Sequence, residues 1–337
     1  MFGGRWFFRL KYIPQWAIML LLWEKVALMT RKSNKPKRPP TSPQRPARPP
    51  AKRPERSHQA RKPVSQGQKP TVELEQTVLP DIVKEIRQLR SRDARDRTGT
   101  YYIEGARIVA QAINAGLPLE IGAISLELLS RTEHSAGTVS ALRKAAKQMV
   151  ELSASAFAGI SFKENLQGIG AVVKLQQEPL SNVQLTDRPW VALNGVGNPG
   201  NLGAIMRTCD AVGCEGLILI GDTTDPYHPA AIRASMGSLF ALRMVRTTFD
   251  EFAAWKQTNG YHVIGTTPDV EQEYQTISYP SPAILLMGSE RLGLSVGEQS
   301  VCDTLVRIPM AGTCDSLNLG VATSIVLYEM FRQQRLV

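Results

Sequence analysis

The chain has 337 residues, enough for two domains with tails, and a net charge of +10. That charge is uneven: residues 31–70 hold thirteen Lys/Arg against one Glu, whereas residues 71–337 hold 23 Lys/Arg against 28 Asp/Glu. A basic folded body is therefore excluded, and the basic character lies in a tail.

Within residues 1–30 the run "YIPQWAIMLLLW" (12–23) is uncharged and mostly apolar. It is shorter than the roughly 20 residues that span a bilayer. Arg5, Arg9 and Lys11 precede it like the basic start of a signal peptide, yet no small-residue cleavage site follows. Three readings stay open: a targeting leader, a membrane anchor, or a start at Met29 that leaves residues 1–28 untranslated. No stable membrane association is expected. Residues 31–70 hold ten prolines and almost no apolar side chain. Such a segment cannot offset its ordering entropy, so a disordered tail is expected over 1–78.

Order is expected from residue 79. "LPDIVKEIRQLRSRDARDRTG" reads as one helix, "YYIEG" as a strand, and "ARIVAQAINAG" as a helix closed by Gly116. "IGAISLEL" reads as a strand, "TVSALRKAAKQM" as a helix, and "GIGAVVKLQ" as a strand. These make a small α/β domain over 79–176. A polar connector leads to a second domain, 188–337. Its strands are "WVALNGV", "GLILIG", "LRMVR", "YHVIGTT" and "AILLMG", alternating with helices, and "TLVRIP" precedes the last helix. Near-continuous apolar strands indicate a parallel sheet covered on both faces. The last helix carries Leu319, Val321, Ala322, Ile325, Val326, Leu327, Met330 and Phe331, so little of it is polar. That pattern predicts a subunit contact as well as a core.

Cys209, Cys214, Cys302 and Cys314 form no Cys-x-x-Cys pair, and His228 and His262 complete no metal-ligand spacing. No metal is expected, and the thiols read as reduced in a cytoplasmic protein. Cys314, in a glycine-bearing loop, stays open as a reactive cysteine.

Gly195-x-Gly197-x-x-Gly200 has the spacing of a dinucleotide fingerprint, and Asp222 lies about 20 residues further on. A nicotinamide dehydrogenase would explain those glycines. It would not explain Gly288-Ser-Glu290 after the fifth strand, or Ser316-Leu-Asn318 before the last helix. As loop glycines, they place Asn198 or Asn201 near a helix cap and Pro199 in a first turn.

Three clusters together resemble the SpoU/TrmH family of RNA 2′-O-ribose methyltransferases. They are Asn201 with Arg207 six residues on, Gly288-x-Glu290, and Ile308-Pro-Met310 followed by Gly312 and Ser316-Leu317-Asn318. "RASMGSLF" (233–240) is similar to the family too. The resemblance implies a C-terminal domain with a trefoil knot, acting as a homodimer on S-adenosyl-L-methionine. It implies Arg207, Asn201, Glu290, Ser316 and Asn318 as catalytic residues, and Thr266, Gly288, Ile308, Met310 and Leu317 as cofactor contacts. A guanidinium stays charged, so Arg207 is expected to position phosphate and hydroxyl rather than act as base. Glu290 is expected to bond Arg207 or to fix the neighbouring loop. Cys209 stands where Ala is usual and Ala230 where Lys is frequent. "TYYIEGARIVAQAINAG" resembles the small substrate RNA-binding domain that precedes many of these catalytic domains. That implies ribosomal RNA, of the large subunit, before tRNA as substrate. A non-catalytic RNA-binding protein on the same fold is the rival, opposed by the intact Asn201, Arg207, Glu290 and Asn318.

Overall fold

The computed structural model describes residues 75–129, 136–163 and 165–335. The apolar run 12–23 and the basic tail 31–70 lie outside them.

The N-terminal part contains α1 (Glu75–Gln88), α2 (Arg92–Thr98), β1 (Thr100–Glu104), α3 (Ala106–Asn114), β2 (Leu119–Ile124), α4 (Leu126–Leu129), α5 (Ala136–Ala145), β3 (Ala146–Glu151), α6 (Ala154–Ile160) and β4 (Ile169–Lys174). The sheet order is β1-β4-β2-β3, with only β2 and β3 parallel. Three sequence expectations need correction. The helix expected over 79–99 is two helices. They break where the Arg95 guanidinium takes the carbonyls of Leu89 and Arg90, at 2.8 and 2.9 Å. The helix expected to run on through "AAKQM" stops at Ala145, and β3 follows, because pairing with β2 outweighs helix propensity. "IGAISLEL" is a strand only to Ile124, after which α4 begins.

The C-terminal part contains β5 (Trp190–Asn194), α7 (Pro199–Ala211), β6 (Gly216–Ile220), α8 (Pro229–Ser235), β7 (Arg243–Thr247), α9 (Phe249–Asn259), β8 (His262–Thr266), β9 (Ala283–Met287), α10 (Val296–Gln299), β10 (Thr304–Val306) and α11 (Leu319–Gln334). All six strands are parallel, in the order β10-β8-β9-β5-β6-β7. The apolar runs follow from burial on both faces: every residue of β6 and β9 is buried. In β5, Val191 and Leu193 join the core that includes α7, α8 and α11, whereas Trp190 and Ala192 face Phe252 of α9. The strict strand–helix alternation fails once. Residues 267–282 join β8 to its parallel neighbour β9 with no helix between them.

Because β9 lies between β8 and β5, the chain order reverses there, and the carboxyl ends of these strands frame a crevice. α11 closes against α7, where Thr208 Oγ1 and Ser324 Oγ are 2.8 Å apart. Leu319, Val326, Leu327 and Met330 of α11 are buried, but Val321 is 49% exposed and Tyr328 52%. The two parts share one core: Tyr101, Ile103 and Val109 pack with Tyr227 and Ile232. The Arg95–Asp225 ion pair, 2.6 Å and buried, ties α2 to the loop before α8. Among the described residues, no helix is long and apolar enough to cross a membrane.

Candidate active site

The opening glycines form a loop that feeds α7. Asn198 caps the helix: its Oδ1 accepts from the amides of Gly200 at 2.7 Å and Asn201 at 3.4 Å, with Pro199 in the first turn. Over this loop lies Glu290, delivered by the turn after β9. Its Oε2 accepts from the Gly197 amide and its Oε1 from the Asn198 amide, each at 3.1 Å. Asn201 Nδ2 donates to the same Oε1 at 3.2 Å. A carboxylate therefore occupies the amides that a dinucleotide pyrophosphate would need, and the two are mutually exclusive. Burial pushes the Glu290 carboxyl up, but the Gly197, Asn198 and Asn201 donors outweigh it and leave it below the usual glutamate value.

Asn201 also reaches the last helix. Asn318 Nδ2 donates to Asn201 Oδ1 at 3.0 Å, while Asn318 Oδ1 caps α11 through the amides of Gly320 and Val321. Thus Glu290, Asn201 and Asn318, from three separated motifs, form one hydrogen-bonded chain. Arg207 does not join it. It is exposed on α7, with no hydrogen-bond or ion-pair partner among the described residues. Of the two roles expected for Glu290, the structure contains the loop contact and not the Arg207 contact.

Beside this chain is a cavity of about 410 Å³, built from the ends of β8, β9 and β10 and the segment before α11. Thr266, Gly288, Ile308, Met310 and Leu317 all line it, with Glu290 and Ser316. Gly288 has a steric reason to be glycine. A Cβ there would collide with the backbone of Gly293 and Leu294, because Ser289 and Gly293 pair across the turn. Gly312 has no such constraint, as its Cβ position is open. Ser316 is exposed, and Cys314 is exposed in the same loop. The sequence reading missed Pro268, Asp269, Leu292 and Leu294 of the lining. Pro268 and Asp269 lie in the helix-free 267–282 connection, where no spacing marks them. Leu292 and Leu294 follow Glu290 in a turn whose glycines alone drew notice.

A doubly covered parallel sheet thus carries a cavity at its reversal point, beside the Glu290–Asn201–Asn318 chain. Residues 189–328 match the SpoU rRNA Methylase family, and residues 81–171 match the MRM3-like substrate binding domain. The chain is 31% identical over 254 residues to the 23S rRNA (uridine(2479)-2′-O)-methyltransferase of Streptomyces viridochromogenes, covering 73% of this chain and 87% of that one. It is 28% identical to the 23S rRNA (guanosine(2553)-2′-O)-methyltransferase RlmP of Bacillus subtilis, covering 74% and 95%. The AdoMet-bound rRNA methyltransferase from Sinorhizobium meliloti superposes with a TM-score of 0.67 at 34% identity, covering 74% of this chain and 94% of that one. The chain belongs to the SpoU/TrmH family of RNA methyltransferases.

Proposed function

We propose that this protein transfers a methyl group from S-adenosylmethionine to a ribose 2′-hydroxyl of large-subunit ribosomal RNA. The observation that carries the reading is the cavity beside the Glu290–Asn201–Asn318 chain, lined by every residue that the family motifs nominate for the cofactor. The named relatives acting on 23S rRNA support the substrate class, and the match of residues 81–171 to a substrate-binding domain supports a two-part molecule divided near 79–176 and 188–337. A tRNA substrate has less support.

The cavity suits the cofactor in size and lining. Its volume lies in the range of roughly 300–1,000 Å³ for small-molecule sites, and Leu292, Leu294, Ile308, Met310 and Leu317 give it an apolar wall. Backbone at Gly288, Ile308 and Leu317 would hold the adenosine part, with Thr266 and Met310 beside it. When bound, the sulfonium supplies a methyl group whose bond to sulfur breaks as its bond to the ribose oxygen forms. Asn201 and Asn318 fix the start of α7 against the start of α11, so an incoming ribose meets a set geometry. Glu290 holds the 197–201 loop; three donors already engage its carboxylate, which makes it a poor base for the hydroxyl proton. Arg207, exposed and unpartnered, orients the RNA backbone and the hydroxyl. Ser316, exposed and lining the cavity, is read as a contact to the substrate.

The half-exposed apolar Val321 and Tyr328, on the helix whose Leu319, Val326, Leu327 and Met330 are buried, support a homodimer through the C-terminal domain. The family's trefoil knot is expected in the same domain. Mapping ribose methylation in total RNA with and without the gene tests the function. Loss of one methyl in large-subunit rRNA is the expected result; loss confined to tRNA would transfer the reading to tRNA, and no loss anywhere would end it.

A further inference from the structure

A second cavity, about 220 Å³, lies where the two parts of the molecule meet and takes no part in the chemistry above. The end of β1, α3, Phe162, Lys163 and Gln167 form one side; α8 and Met236 form the other. Ile103, Ile108, Phe162 and Ile232 make its walls apolar and aromatic. Arg107 and Arg233 are exposed, and Lys163 is half-buried. Of the described lining residues Glu104 alone carries a carboxylate, and Ser161 Oγ and the Phe162 amide already engage it at 2.7 to 3.0 Å. The opening is thus net cationic on a body whose residues 71–337 are net acidic.

One further feature points to a guest. The Gln111 carbonyl oxygen, on a lining residue, is buried with no hydrogen-bond partner among the described residues. Met236, 41% exposed at the edge, is the left-handed C-cap of α8.

We infer that this cavity receives one unstacked base of the RNA substrate, with the adjoining phosphates against Arg107 and Arg233. The inference rests on the methyltransferase reading and adds a recognition site to it. The volume is below that of drug-sized pockets, roughly 300–1,000 Å³, and suits a single ring system. RNA is read through splayed bases that stack on aromatic side chains and present their edges to polar groups. A base edge would supply the partner that Gln111 lacks once its side chain turns to it. The cations meet phosphate without reading sequence. α8, which lines this cavity, packs so closely on α7, the helix that carries Asn201, that a Cβ on Gly203 would collide with Ala234. The base held here is therefore not the methylated nucleotide but another of the same RNA.

The test is ultraviolet crosslinking of the full chain to unmodified 23S rRNA transcript, with adducts located by mass spectrometry and methylation followed in the same preparation. A nucleotide adduct on Phe162 or Lys163 is expected. Gln111→Met, which removes the polar atoms without opening space, should raise the KM for RNA roughly three- to tenfold, the weight of one hydrogen bond. Cofactor affinity and melting temperature should hold, which a purely structural role would not leave unmoved. Adducts near residues 316–318 with none at the cavity, or an unchanged KM in the Gln111→Met variant, would overturn the inference and leave the enzyme reading standing. Absence of both adducts and methylation would remove the enzyme reading, and this inference with it.

Discussion

Asn318 Nδ2 donates to Asn201 Oδ1 at 3.0 Å, joining the first turns of two helices across 117 residues of sequence. The same Asn318 caps α11 with its Oδ1, so the two roles can be separated by substitution. Asn318→Asp keeps the capping oxygen and removes the donor. Asn201 cannot compensate by turning its amide, because its own Nδ2 is committed to Glu290. Melting temperature should stay near that of the parent while kcat/KM falls at least tenfold. Asn318→Ala should lose the link and also about 1 kcal/mol of cap stability. Paired melts and methylation assays check this; an Asp variant with full activity would show that the cap alone matters.

Arg207 has no partner to lose among the described residues. Arg207→Ala should therefore leave stability within about 0.5 kcal/mol of the parent. It should also leave cofactor affinity unchanged while reducing turnover by about 100-fold or more. Arg207→Lys should restore only part, since an ammonium lacks the guanidinium fork. Calorimetry with S-adenosylmethionine and single-turnover methylation make the comparison. Near-normal turnover would return Arg207 to the plain helix surface.

Glu290 gives a pH signature. Its folded-state pKa lies below the usual glutamate value. The carboxylate therefore contributes stability that is fully present above the unfolded-state pKa and is lost as pH falls through the folded value. Denaturant melts of the parent and Glu290→Gln should differ most at neutral pH. The gap should close below the ordinary glutamate range. A gap independent of pH would mean that the charge on Glu290 does not hold the 197–201 loop.

The buried Arg95–Asp225 pair predicts a large asymmetry between single and double substitutions. Arg95 is 1% exposed and gives Asp225 Oδ2 two bonds, at 2.6 and 2.9 Å. Asp225→Ala leaves an uncompensated buried guanidinium and should cost about 3–5 kcal/mol. Replacing both by Met and Leu should cost far less. Limited proteolysis should then cut the connector near 176–188 faster in the single variant than in the pair, because the single variant releases one part of the molecule from the other. Equal digestion would show that the apolar core shared by the two parts holds them by itself.

Much of this was written in local patterns. The six apolar runs of the second domain became its six strands, because a strand covered on both faces favours apolar residues at successive positions. The three motifs met at one crevice, since each ends a strand or opens a helix there. Local pattern failed where a distant partner decided. "AAKQM" has helical residues yet pairs with β2. The break between α1 and α2 is set by a guanidinium whose anionic partner lies 130 residues away. Cavity residues on 267–282 carry no periodicity, because a loop is shaped by what it packs on.

The sequence by itself determined the covered parallel sheet, the capped start of α7 and which residue types stand at the chemistry, because burial periodicity and capping are short-range physics. Only the tertiary structure decided what those residues touch. It gave Glu290 to the amides of Gly197 and Asn198 rather than to Arg207, tied Asn201 to Asn318, left Arg207 without a partner among the described residues, and opened a basic cavity between the two parts. Each of these outcomes depends on side chains roughly 90 or more residues apart arriving within about 3 Å of one another, or failing to, and hydrogen-bond geometry is too steep with distance for any local pattern to fix it.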